Sequence, residues 1–88
     1  MRIEGNTVIF QSMPVMYEKE ESGVKPNTVR ILEFHEEVEL MKASERLTHI
    51  QIRESYHNSK FIRELTDVSK IGELLGKSVY IFSWRHEE

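Results

Sequence analysis

The sequence predicts a single α+β domain. It has a small, curved, mostly antiparallel sheet or partly closed β-barrel, two helices and a short third helix. Three observations lead there. β-favouring or alternating runs recur at 8–10, 28–32, 47–54 and 78–84. Two of the gaps between them carry apolar residues at helical spacing. The runs at 47–54 and 60–65 are joined by Ser-Tyr-His-Asn-Ser alone, too short for a crossover, so they pair antiparallel. With 88 residues the chain suffices for one domain, spanning 1–88, and is too short for two.

Taken in order, Gly5-Asn6 marks a turn and Val8-Ile9-Phe10 an edge strand. A helix is expected over 13–22, with Pro14 in its first turn and Ser12 as cap. Met13, Met16 and Tyr17 form its buried stripe, and Gly23 ends it in the left-handed conformation that glycine adopts cheaply. Lys25-Pro26-Asn27 is a turn. In the strand that follows, Val29 and Ile31 are expected in the core, with Thr28 and Arg30 on the other face.

The second helix covers 33–46, buried along Phe34, Val38 and Met41 and solvated along its glutamates. In 47–54, Thr48, Ile50 and Ile52 make one face and His49, Gln51 and Arg53 the other. The pattern at 60–65 leaves the choice of buried face open. The stretch 66–76 reads as a short helix or a pair of turns ended by Gly76. The run Ser-Val-Tyr-Ile-Phe-Ser-Trp at 78–84 reads as a central strand covered on both faces, before a polar tail.

Composition removes several functions. There is no cysteine, which excludes disulfides, thiolate catalysis and zinc ribbons and suits a reducing cytoplasm. The four histidines show no ligand spacing, so no metal and no cofactor is expected. No apolar run approaches signal-peptide or membrane-span length, so no membrane role is expected. Neither a nucleophile-elbow spacing nor a P-loop is present. The net charge of −3 means that any nucleic-acid binding must use a local basic patch.

One stretch concentrates chemistry. Gly23-Val24-Lys25-Pro26-Asn27-Thr28-Val29-Arg30 reads G-x-K-x-x-T-x-R. Lys25, Thr28 and Arg30, with Arg53 and Arg63 on neighbouring strands, can neutralise phosphate while Tyr56 or His57 stacks on bases. Alternatively, a lysine beside a threonine hydroxyl can make it a nucleophile, with Glu64, Asp67 or Glu73 as the acid.

The motif, set just after a short helix, resembles the signature of the ASCH domain family of the PUA-like superfamily. The later segments 48–52, 61–68 and 79–84 look like small phage and bacterial relatives of that group. The resemblance implies a five- or six-stranded barrel with an RNA- or nucleotide-facing cleft lined by the motif. It also implies, as an alternative, an amidohydrolase that deacylates 4-acetylcytidine-type nucleosides. There Lys25 would activate Thr28, and Glu73 is the nearest positional match for the acid. The chain departs from the family pattern in Pro26, directly after the lysine, and in the acidic helix after Arg30. A third reading is a phage or mobile-element module that binds a host protein through that helix. The expected location is cytoplasmic, the host cytoplasm for a phage-encoded chain.

Overall fold

The computed structural model describes residues 1–86, so Glu87 and Glu88 of the polar tail lie outside the described residues. A hairpin opens the chain, with β1 (Arg2–Glu4) and β2 (Thr7–Ser12) joined through Gly5, whose φ of 59° suits its turn. Then come α1 (Pro14–Ser22), β3 (Asn27–Leu32), α2 (Phe34–Ala43), β4 (His49–Glu54), β5 (Lys60–Leu74) and β6 (Lys77–Trp84). They form an α+β domain with two helices and one six-stranded mixed sheet, ordered β1-β2-β4-β5-β6-β3. The β2–β4 pair is parallel and every other pair antiparallel. The parallel pair requires a crossover, which α1, β3 and α2 supply. Main-chain pairing does not close the sheet into a barrel, because β1 and β3 remain its edges.

The expected third helix does not form. Residues 66–74 instead extend β5, whose first part pairs with β4 and whose second part pairs with β6. Ile71, Leu74 and Leu75 suggested a helix locally, but the β6 run offers a partner along the whole segment, and ladder pairing overrides weak local preference. Register shifts between Leu65 and Asp67 and between Lys70 and Gly72 mark bulges, which bend β5 from one half of the sheet into the other. The hairpin turns at Leu75-Gly76, both with positive φ.

Val8, Phe10, Leu32, Leu40, Ile50, Ile52, Phe61, Tyr80, Phe82 and Trp84 build the core. β6 is central, as its composition required, but only one face is buried; Val79, Ile81 and Ser83 stay half-exposed on the other. The expected phase of β3 is inverted. Thr28 and Leu32 are buried, whereas Val29 and Ile31 are 47% and 50% exposed. They lie opposite Ile81 and Val79, so the outer sheet face is aliphatic. Strand alternation fixes which residues share a face but not which face is covered, and here Arg30 finds partners that allow the polar face inside.

The stripe expected on α2 is also turned outward, with Phe34 and Met41 exposed and Leu40 and Ala43 buried. Two glutamates hold it that way. Glu36 pairs with the Met1 ammonium at 3.3 Å, and Glu37 accepts hydrogen bonds from Tyr80 Oη at 2.7 Å and Ser78 Oγ at 2.8 Å. The start of α1 differs as well. Met13 takes the cap position without a side-chain bond, and Ser12 turns to Glu20 instead. Gly23 ends α1 at φ 87°, as expected, and a Cβ there would also meet the His86 ring at 2.7 Å.

The Glu37 bonds make stability pH-dependent. Tyr80 and Ser78 hydrogen bonds, with Lys70 adding to them, hold the Glu37 carboxyl below its ordinary 4.5. A lowered folded-state value means that this stabilisation is complete above 4.5 and is lost as pH falls through the folded value. Urea unfolding across that window is expected to give a steeper loss of stability on acidification for the natural chain than for Glu37→Gln. Equal slopes would show that these bonds do not favour the carboxylate.

Candidate functional site

The site grows from a strand that stops early. β1 pairs only with Thr7, Val8 and Ile9, which leaves one edge of β2 without a strand beyond Ile9. A bare carbonyl there needs a donor. Arg30, on the opposite edge strand β3, supplies it. Its Nη1 donates to the Gln11 carbonyl at 2.7 Å, Nη2 to Ser12 Oγ at 2.7 Å and Nε to Thr28 Oγ1 at 2.9 Å. The guanidinium also lies 4.8 Å from the centroid of the Phe10 ring. One side chain thus bridges the seam between β2 and β3 where main-chain pairing is missing.

Glu20 completes this network. It is 1% exposed and accepts a bond from Ser12 Oγ at 2.7 Å. A carboxylate so buried requires hydrogen bonding and a nearby cation, and Ser12 links it to Arg30. Burial lowers the Arg30 pKa while Glu20 opposes the shift, and the guanidinium stays charged at any ordinary pH. The sequence places Glu20 with Glu18, Lys19 and Glu21 on the wet face of this helix, and the structure buries it instead. It lies three residues after Tyr17 and four after Met16, on the stripe assigned to the buried face.

The motif residues do come together. Lys25, Thr28 and Arg30 line one cleft of about 250 Å³ with Gln11, Ser12 and Glu20. Thr28 is 3% exposed, and its hydroxyl oxygen accepts from Arg30, not from Lys25. Gln11 and Arg30 also line a second cleft of about 330 Å³, shared with Arg2 and Arg53. Gln11 and Arg53 in turn line a third, of about 440 Å³, with His57 and Lys60. Arg53 is oriented by Gln51, whose Oε1 accepts from Arg53 Nε at 2.8 Å.

Other expected members lie elsewhere. Arg63 turns away from the Arg30–Arg53 clefts: it stacks on Phe61 at 4.8 Å and donates to the Glu21 carbonyl at 3.3 Å, tying β5 to the end of α1. Tyr56 is exposed on the 55–59 loop. Glu73 pairs with Lys70 at 3.2 Å and stands opposite Ser78, which is itself opposite Leu32 at the far end of β3 from Lys25. Asp67 accepts from Ser69, and Glu64 is exposed on β5 opposite His49. None of these three carboxylates lines the cleft; the one that does is Glu20. Pattern matching failed here because position along a strand, not distance in sequence, decides which end of the sheet a residue reaches.

A larger cleft of about 580 Å³ lies between α2 and β5, but its lining carries no cation and one acid, Asp67, so it offers shape with little chemistry. Among the described residues no group of three metal-ligating side chains gathers, and no helix is long and apolar enough to cross a membrane.

Fold and site together define an α+β domain with cation-lined clefts meeting at the seam of an open sheet. No protein-family model matches the chain, and no match is found among curated proteins or solved structures.

Proposed function

We propose that the chain is a small nucleotide- or RNA-binding domain of the ASCH, PUA-like kind, holding its ligand at the β2–β3 seam through Lys25, Thr28 and Arg30. One observation supports this reading above the others: the motif's three polar side chains line a single cleft, which continues past Arg30 to Arg53. Cations arranged along connected clefts suit a ligand with a phosphate backbone. An open sheet bridged at its seam by one side chain is compatible with a PUA-like barrel that is parted there. Lys25 is the residue to test, because Arg30 also supports the fold. A fluorescent single-stranded RNA is expected to bind with an affinity that falls steeply with salt, and Lys25→Gln is expected to weaken it and reduce the salt slope by about one. Binding that is insensitive to salt and to Lys25→Gln would sink this reading.

A second reading is supported by Glu20. A carboxyl group in the cleft of Lys25 and Thr28 gives the amidohydrolase alternative an acid that Glu73 does not provide. Thr28 Oγ1 would attack the acyl carbonyl as Lys25, in its neutral form, takes its proton. Glu20, in its protonated form, would give a proton to the departing amine, and water would then hydrolyse the Thr28 ester and release the carboxylic acid. Incubation with 4-acetylcytidine decides this: release of cytidine that Glu20→Gln and Thr28→Val both abolish supports it, and an intact substrate removes it.

A further inference from the structure

We infer that the cleft walled by Arg2, Arg30 and Arg53 is a phosphate site, so that the ligand of the seam is a phosphorylated nucleotide and not a free nucleoside. This rests on the nucleotide reading of the neighbouring Lys25–Thr28 cleft. Three guanidinium side chains line about 330 Å³, and no carboxylate is in the lining. Like charges gathered in one lining repel one another, and an anion that joins them relieves the repulsion. Glu20 offsets part of the Arg30 charge from outside this cleft, through Ser12. Arg2 has a carboxylate nearby, but its pairing with Glu4 is long, at 3.6 Å, and both side chains are more than half exposed, so that pairing is weak.

Two of the guanidiniums are set for an oxyanion. Gln51, 7% exposed, takes the Nε–H of Arg53, which fixes the plane of the fork and leaves both Nη groups without a side-chain partner among the described residues. Arg30 spends three of its donors on the seam, and the second hydrogen on each Nη remains. A fixed guanidinium fork matches the oxygens of phosphate better than any other common anion-binding side chain. Gln11 and Arg30 line both clefts, so a phosphate beside Arg53 and a nucleoside beside Thr28 would sit on adjoining sides of one guanidinium. The phosphoryl group can belong to a mononucleotide or to a strand.

The test follows the Arg Nε–Hε signals of the full chain by NMR. The ligands are inorganic phosphate, cytidine, cytidine 5′-monophosphate and the dinucleoside phosphate CpC. The expected result is that phosphate alone moves the Arg30 and Arg53 signals and competes with the monophosphate. The monophosphate should bind at least about tenfold tighter than cytidine, and that preference should shrink about tenfold in Arg53→Gln and fall in Arg2→Gln. A thermal melt confirms that each variant is folded. Preference for the monophosphate over CpC points to a free nucleotide, and the reverse to a strand; either supports the site. Equal affinity for cytidine and its monophosphate, or no phosphate response at Arg30 and Arg53, overturns the inference while leaving the nucleoside cleft standing. A phosphate response without any added affinity from the nucleoside overturns the nucleotide reading and keeps the anion cleft.

Discussion

Arg30→Ala is expected to destabilise the domain by about 3 kcal/mol, roughly a 12–24 °C drop in melting temperature for a chain of this size. The substitution removes donors from the Gln11 carbonyl, Ser12 and Thr28 at once. It also leaves Glu20 buried without its cation, and the loss of one partner from a buried charged network costs more than the bonds themselves contribute. Arg30→Lys separates charge from geometry. An ammonium keeps the charge but cannot reach three acceptors in one plane, so an intermediate loss is expected. Urea unfolding measures both, with an unchanged m-value showing that the effect lies in the native state. A loss below about 0.5 kcal/mol for the alanine variant, the ordinary range for surface changes, would mean that the seam is held by packing alone. Combining Arg30→Ala with Glu20→Gln tests the link through Ser12: coupled residues give a double-variant loss smaller than the sum.

Phe82→Ala is expected to cost about 3–5 kcal/mol, which approaches the whole stability of a small domain. Phe82 is fully buried in the strand paired on both sides, with its ring 4.8 Å from Phe10 edge-on and 6.3 Å from Tyr80. Truncation leaves a cavity where three aromatic rings meet, and close-packed neighbours collapse only in part. Phe82→Leu refills much of that volume and is expected to lose less. Loss of the cooperative transition in Phe82→Ala, with a shifted but intact transition in Phe82→Leu, is the expected pair of melting curves. Equal midpoints for the two variants would place the weight of the core elsewhere.

The two halves of the chain were legible in different degrees. Gly5, Gly23 and the 55–59 loop announced their turns because backbone chemistry at those positions is local. The β6 run announced a central strand by its density of β-branched and aromatic residues. Faces were harder to read. Thr28 and Arg30 alternate with Val29 and Ile31, and nothing in the alternation says that the polar pair goes inside; that depends on Gln11 and Ser12, a strand away across the seam. The same holds for α2, whose orientation is set by Tyr80 and Ser78 far along the chain. The motif pointed to Lys25, Thr28 and Arg30, while Glu20 and Gln51 were hidden because buried polar residues look like surface residues until their partners are known.

The parallel pairing of β2 with β4 bears on the order in which the molecule assembles. β4, β5 and β6 form a meander of neighbouring hairpins, whose loops are short and close early. Thr7 meets His49 only after α1, β3 and α2 have been spanned, a far longer closure. The C-terminal meander is therefore expected to form the folding nucleus, with the N-terminal hairpin docking later. The clefts draw Gln11 from β2, Arg30 from β3 and Arg53 from β4, so they come into being only with that last step. A partly folded chain would hold much of its sheet and still present no binding surface.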